Sequence, residues 1–268
     1  LTIGLYRMLI AMPFIVGMLR RDERPKFECG AAWAMLAGVA FAGDLTFWHH
    51  SMQHTSAANS TFIVCGLTPI WVALFSVGVY GTRYRWTGWL GQLCGVTGAS
   101  ILALARGARV GSGIGEGLAV GASFCYALFS ISISRSRQRI SGRLALYWMS
   151  VGSLGSFILL EVFERHPLTG YAPIGWAGLL GLAILVQWLA WLLINNGLGH
   201  VSVAVGTIGL SFQQVATPFL AAWLLDEPLR PLGMLGGAVI IVGIYWVATG
   251  EKPYERRLLP IADCPKPE

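Results

Sequence analysis

Runs of about 20 mostly apolar residues follow one another along the whole chain, each long enough as an α-helix to cross ~30 Å of hydrocarbon. No other feature constrains the fold as much, because a backbone in lipid must satisfy its own N–H and C=O groups, which a helix does within one segment. Nine spans are expected, at residues 3–19, 31–51, 56–79, 86–105, 114–134, 144–163, 174–196, 202–225 and 232–248. With 55% apolar residues, 12% charged ones and a mean hydropathy of +0.62, the chain is too apolar for an ordinary soluble domain. The expected class is therefore an all-α polytopic membrane protein. Residues 250–268 are charged and proline-rich and read as a cytoplasmic tail.

The net charge of +6 does not point to nucleic acid, because the basic residues sit in short loops between apolar runs. Fourteen of them share one side: Arg20, Arg21, Arg24 and Lys26; Arg83 and Arg85; Arg135, Arg137, Arg139 and Arg143; and Lys252, Arg256, Arg257 and Lys266. The other side holds four, Arg106, Arg109, Arg165 and Arg230, so the heavy side is expected in the cytoplasm. Nine spans with a cytoplasmic C-terminus put Leu1 outside, and one further helix upstream, ten in the intact protein, would repair that topology. The five cysteines are scattered without a CxxC pair, so neither a disulfide framework nor a zinc site is indicated.

Polar residues inside spans are costly and mark where function is to be sought. They concentrate in residues 43–74, GDLTFWHHSMQHTSAANSTFIVCGLTPIWVAL. Arg7 and Asp44 lie about 18–20 Å from the cytoplasmic ends of their helices at ~1.5 Å per residue. They can form a charge pair; Asp44 can instead serve a solute or a coupling ion; Arg7 can snorkel to the outer interface. His49, His50 and His54 admit three readings: a metal site, a titrating lining of the outer pathway, or hydrogen-bonded interfacial histidines. No acid is spaced to complete a metal site, and no cofactor is expected. Pro69 and Pro218 take the usual donors from the carbonyls of Cys65 and Gln214, and so are candidates for kinks that open the bundle centre. Asp44, His49, His50, Asn59, Thr68, Gln187, Asn195, Gln213 and Gln214, with Trp48, Trp71 and Trp191 as stacking surfaces, complete the candidate cavity. Glycines at 113, 117 and 121, and at 91 and 95, read as close helix packing, not as phosphate loops.

Part of the chain repeats. FWHHSMQHTSAA (47–58) aligns with LINNGLGHVSVA (193–204), matching His49 and His50 with Asn195 and Asn196, and His54 with His200. Leu67-Thr68-Pro69 aligns with Ala216-Thr217-Pro218, and Gly88, Gly91 and Gly98 align with Gly233, Gly236 and Gly243. A five-helix unit that repeats must insert in the opposite sense. Two inverted five-helix repeats, 1–110 and 111–249, are therefore expected around a polar compartment. His49 and Asn196 then fall toward opposite ends, and Asn196 joins the prolines as a gating candidate.

Three segments carry a family resemblance: LLDEPLRPLGMLGGAVIIVGI (224–244), GLYRMLIAMP (4–13) and TSAANSTFIVCGLTPIWVAL (55–74). They resemble the EamA-type permeases of the drug/metabolite transporter superfamily, which includes amino-acid exporters of the YddG type. The family's first helix has no counterpart here, and the first-repeat turn reads GTRYR (81–85) where the second carries Glu227. The resemblance implies ten helices, alternating access, a bacterial inner-membrane location, and a cavity built mainly from the helices at 31–51, 56–79, 174–196 and 202–225. The expected function is secondary transport, in the export direction, of a small organic metabolite, foremost an amino acid or related amphipathic solute. Its partners would be that solute and the lipid bilayer, with a proton as the candidate coupling ion. No Walker motif is present, and the rival reading is a membrane metal-dependent enzyme using His49, His50 and His54. The oligomeric state stays open, with a monomer sufficient.

Overall fold

The computed structural model describes residues 2–19, 25–80, 86–105, 113–164, 173–201, 203–210 and 231–250, and single residues at 212, 215, 216, 220 and 223. Among these residues the structure is helical and without strands. The helices are α1 (Thr2–Gly17), α2 (Cys29–His54), α3 (Ala57–Tyr80), α4 (Trp86–Ala105), α5 (Ile114–Arg137), α6 (Gly142–Glu164), α7 (Pro173–Gly181), α8 (Trp191–Leu198), α9 (Val203–Leu210) and α10 (Pro231–Gly250). A π-helical stretch, Leu182–Ala190, joins α7 to α8. Five helical stretches, Cys29–His54, Asn59–Gly78, Ile114–Arg137, Gly142–Phe163 and Pro173–Leu198, are long and apolar enough to cross a membrane. Of the span expected at 202–225, only α9 and the single residues are described.

Small residues set how closely the helices approach. A Cβ on Gly38 would collide with the Met149 carbonyl oxygen and one on Gly152 with that of Met35, so α2 and α6 cross almost backbone to backbone. Ser153 Oγ closes this crossing through hydrogen bonds to the Gly38 and Met149 carbonyls, each 3.0 Å. Met8, Ile15, Phe41, Phe129, Leu146, Met149 and Phe157 fill the core around it. Large apolar side chains such as Leu93, Leu159, Val162, Leu185 and Leu193 point outward, as a lipid-facing surface requires.

A second crossing joins α4 to α10. A Cβ on Gly91 would lie 2.7 Å from the Gly243 carbonyl oxygen, and one on Gly98 would lie 2.6 Å from that of Gly236. The repeat matches Gly91 with Gly236 and Gly98 with Gly243, so each glycine touches the equivalent of the other. The two helices therefore run antiparallel across the crossing, as the matching helices of inverted repeats are expected to.

The bundle has two chemically distinct ends. The arginine end gathers the last turns of α5 and α8 and the first turns of α2 and α6, with Arg135, Arg137 and Arg139. The opposite, glutamate end gathers the last turns of α2 and α6 and the first turns of α1, α3 and α5, with Glu116 and Glu161.

Candidate functional site

The middle of the bundle is formed by α1, α2, α5 and the interrupted α7–α8 unit. π-Helical segments widen the helical register and recur at functional sites. Here one carries Gln187, and the next two positions at steps of four are Trp191 and Asn195. All three are buried, Gln187 and Asn195 completely.

Arg7 reaches this row. Its Nε donates to Gln187 Oε1 at 3.0 Å, and its Cζ lies 5.5 Å from the centroid of the Phe41 ring. The charge pair expected between Arg7 and Asp44 is corrected accordingly: among the described residues no ion pair joins them. Depth along each helix puts both charges near one level but does not fix their direction around the helix axis. Asp44 is turned toward α5, within electrostatic range of Cys125 and Tyr126, while Arg7 meets α7–α8 and the Phe41 face of α2.

Below Arg7 the aromatics close together. Trp191 stands edge-on to Phe41 and to Phe129, with centroids 5.2 Å apart in both pairs, and Tyr126 stacks on Phe129 at 5.5 Å. Trp191, expected to stack on solute, is in this structure part of the core. Several polar atoms next to this cluster have no hydrogen-bond partner among the described residues: Asp44 Oδ1, Gln187 Nε2, and both Oδ1 and Nδ2 of Asn195. An orphaned buried group costs ~1–3 kcal/mol, so Asp44 and Gln187 in mid-bundle, and Asn195 nearer the arginine end, are placed for polar company.

Toward the glutamate end, His49 Nδ1 and His50 Nδ1 lie 2.6 and 2.8 Å from the carbonyls of Leu45 and Thr46, and Trp48 packs edge-on to His49. Asn59 is committed to a local knot: its Nδ2 donates to Thr55 Oγ1 at 2.9 Å and to Glu116 Oε1 at 2.8 Å. Thr68 and Trp71 fasten α3 to α5. The Thr68 hydroxyl lies 2.6 Å from the Val64 carbonyl and 3.3 Å from that of Ser123, and Trp71 Nε1 donates to Ser123 Oγ at 3.0 Å. Pro69 sits inside α3 without ending it. At the arginine end Asn196 presses on Gly142, far along the bundle from His49. Gln213, Gln214 and Pro218 lie outside the described residues.

The structure adds groups that the sequence reading passed over. Arg137, read only as a topology charge, donates from Nε to the Asn195 carbonyl at 2.7 Å and from Nη1 to the Ile140 carbonyl, clamping the end of α8 to α5. Glu161, an acid inside an apolar run just as Asp44 is, accepts from the Thr2 hydroxyl at 3.0 Å. Glu116 also takes the backbone N–H of Gly113 at 2.8 Å, a capping arrangement signalled by its position three residues on. Gln92 is buried in α4 with neither side-chain polar atom partnered among the described residues.

Over residues 1–104, and again over 113–249, the chain matches the EamA-like transporter family. It belongs to that family. This EamA-like transporter is 26% identical, over 265 residues covering 88% of this chain and 76% of the relative, to the uncharacterized transporter sll0355 of Synechocystis sp.. It is 27% identical, over 254 residues covering 91% of this chain and 80% of the relative, to a protein of Streptantibioticus cattleyicolor named "Probable terminal-alkyne amino-acid exporter". A crystal structure described only as that of a protein superposes with a TM-score of 0.74 at 18% identity, over 92% of this chain and 88% of its own; that likeness bears on the fold alone. EamA-like proteins are multi-pass membrane transporters with an internal repeat, in keeping with the glycine exchange between α4 and α10. The metal-enzyme reading is set aside, since the family and the named relatives are transporters.

Proposed function

We propose that this EamA-like transporter moves a small amphipathic metabolite, with amino acids the leading class, by alternating access across a bacterial inner membrane. The observation that carries the reading is a set of buried polar side chains inside spans, Asp44 and Gln187 in mid-bundle and Asn195 nearer the arginine end, each with at least one polar atom lacking a partner among the described residues. Lipid cannot satisfy such groups, and a passing polar solute can. The exporter among the relatives favours amino acids and the outward direction. The fourteen-to-four division of basic residues favours a cytoplasmic arginine end and C-terminus.

In this reading Asp44 handles the coupling proton. An uncompensated carboxylate within a span costs at least ~2.5–3.5 kcal/mol, so a proton or a cationic part of the solute has to neutralise it at some stage of the cycle. Tyr126 and Cys125 face it from α5. The test is counterflow of a labelled amino-acid mixture into liposomes that hold the purified chain and unlabelled amino acids. Uptake above that of empty liposomes, accelerated by a pH gradient, is expected. Absence of counterflow for amino acids and for a wider metabolite panel would remove the proposal.

A further inference from the structure

We propose that the Arg7 guanidinium is the docking point for a carboxylate on the transported solute, so that the solute class is carboxylate-bearing amphiphiles. The inference rests on the transporter reading but uses a different observation: a cation inside a span whose direct contacts are the Gln187 amide and the Phe41 ring, with the His49 imidazole within electrostatic range. Arg7 is partly buried, its Nε is held by Gln187 Oε1 at 3.0 Å, and its carbon lies 5.5 Å over Phe41. No carboxylate forms an ion pair with it among the described residues. The two buried in-span acids nearest in kind are otherwise placed, Glu161 against Thr2 and Asp44 on the α5 side of α2.

The geometry suits one class of visitor. A guanidinium has five N–H donors, and with Nε engaged by Gln187 the two terminal nitrogens keep a fork that matches the two oxygens of a carboxylate. A cation alone would bind chloride or phosphate equally well. The distinguishing group is Gln187, which is completely buried and whose Nε2, on the amide that holds Arg7, has no partner among the described residues. That amide supplies a further donor beside the fork.

The full chain in liposomes is titrated with phenylacetate, with phenylacetamide and with chloride, and binding is followed by tryptophan fluorescence. The same amino-acid counterflow is run in parallel. Phenylacetate is expected to bind at least tenfold tighter than the amide. Arg7→Gln should remove that preference, Arg7→Lys should keep part of it, and Gln187→Leu should weaken phenylacetate several-fold while its effect on phenylacetamide stays small. Size-exclusion profiles and helical circular dichroism establish that each variant is folded, and the Gln187 and Lys variants carry the test if Arg7→Gln does not fold. Equal affinity for acid and amide, no binding of phenylacetate, chloride competing as well as phenylacetate, or an undiminished preference in folded Arg7→Gln would each overturn the assignment. Counterflow without acid preference would leave the transporter reading standing and remove this one. Arg7-dependent phenylacetate binding without any counterflow would do the reverse.

Discussion

Replacing Gly98 with alanine tests the crossing that relates the two halves of the chain. The added Cβ would sit 2.6 Å from the Gly236 carbonyl oxygen and 2.8 Å from the Ile240 nitrogen, where ordinary contact begins at 3.4 Å. Backbone cannot swing aside as a side chain can, so α4 and α10 must separate by most of an ångström along the whole crossing. Overpacking of this kind costs ~1–3 kcal/mol, while alanine in place of glycine returns ~1 kcal/mol of helix propensity. Gly155→Ala and Gly78→Ala carry the same propensity gain at helical positions where nothing lies within 4 Å of the new Cβ. The difference between Gly98→Ala and these controls therefore isolates the clash, at about 1–3 kcal/mol. Gly91→Ala and Gly243→Ala should behave alike, since their Cβ atoms would lie 2.7 Å and 2.8 Å from each other's carbonyl oxygens. Combining those two should cost less than the sum of the singles, because the first has already opened the gap the second needs. Detergent-titrated unfolding followed by tryptophan fluorescence measures all six variants, the double included, on one scale. Gly98→Ala as stable as Gly155→Ala, or a fully additive Gly91/Gly243 pair, would refute the crossing geometry.

Three further outcomes follow from single contacts. Asp44→Asn should abolish stimulation of counterflow by a pH gradient while leaving measurable exchange at symmetric pH; stimulation that survives would take the coupling role from Asp44. Ser123→Ala removes the acceptor of Trp71 Nε1, which holds α3 to α5 at 3.0 Å, and should destabilise the fold by ~1–2 kcal/mol in the same unfolding assay. Arg137→Gln should free the end of α8, seen as faster maleimide labelling of a cysteine placed at Asn196 from the arginine end; an unchanged labelling rate would show that Arg137 is not a latch.

The helices were legible because lipid imposes one solution on an apolar run of sufficient length, and the repeat was legible because glycines needed for backbone contact are hard to replace. The lateral arrangement was not. Counting residues along α1 and α2 gives depth, but which neighbour Arg7 or Asp44 faces depends on how the helices are turned against one another. The π-helical register of 182–190 left no proline or glycine inside the segment to announce it. By residue type Asn59, Thr68 and Trp71 are candidates to meet a solute, yet α5 supplies partners for all three, through Glu116 and Ser123. Residue type marks a candidate for a cavity; only packing tells whether a neighbour has already claimed it.

That distinction gives Arg7 its position in the proposed cycle. The alignment that pairs Phe47 with Leu193 also pairs Phe41 with Gln187 when carried back in the same register. Arg7 touches both, the ring of one and the amide of the other, so a single cation bridges equivalent positions of the two halves. Equivalent positions move in opposite senses when inverted halves rock, and a side chain gripping both must yield one of them as the bundle opens. An anion held by the terminal nitrogens of Arg7 would travel with whichever half the side chain kept. Substitution at Gln187 should therefore alter the rate of exchange as well as the affinity for carboxylates, whereas a group that merely packs against one half would change neither in concert.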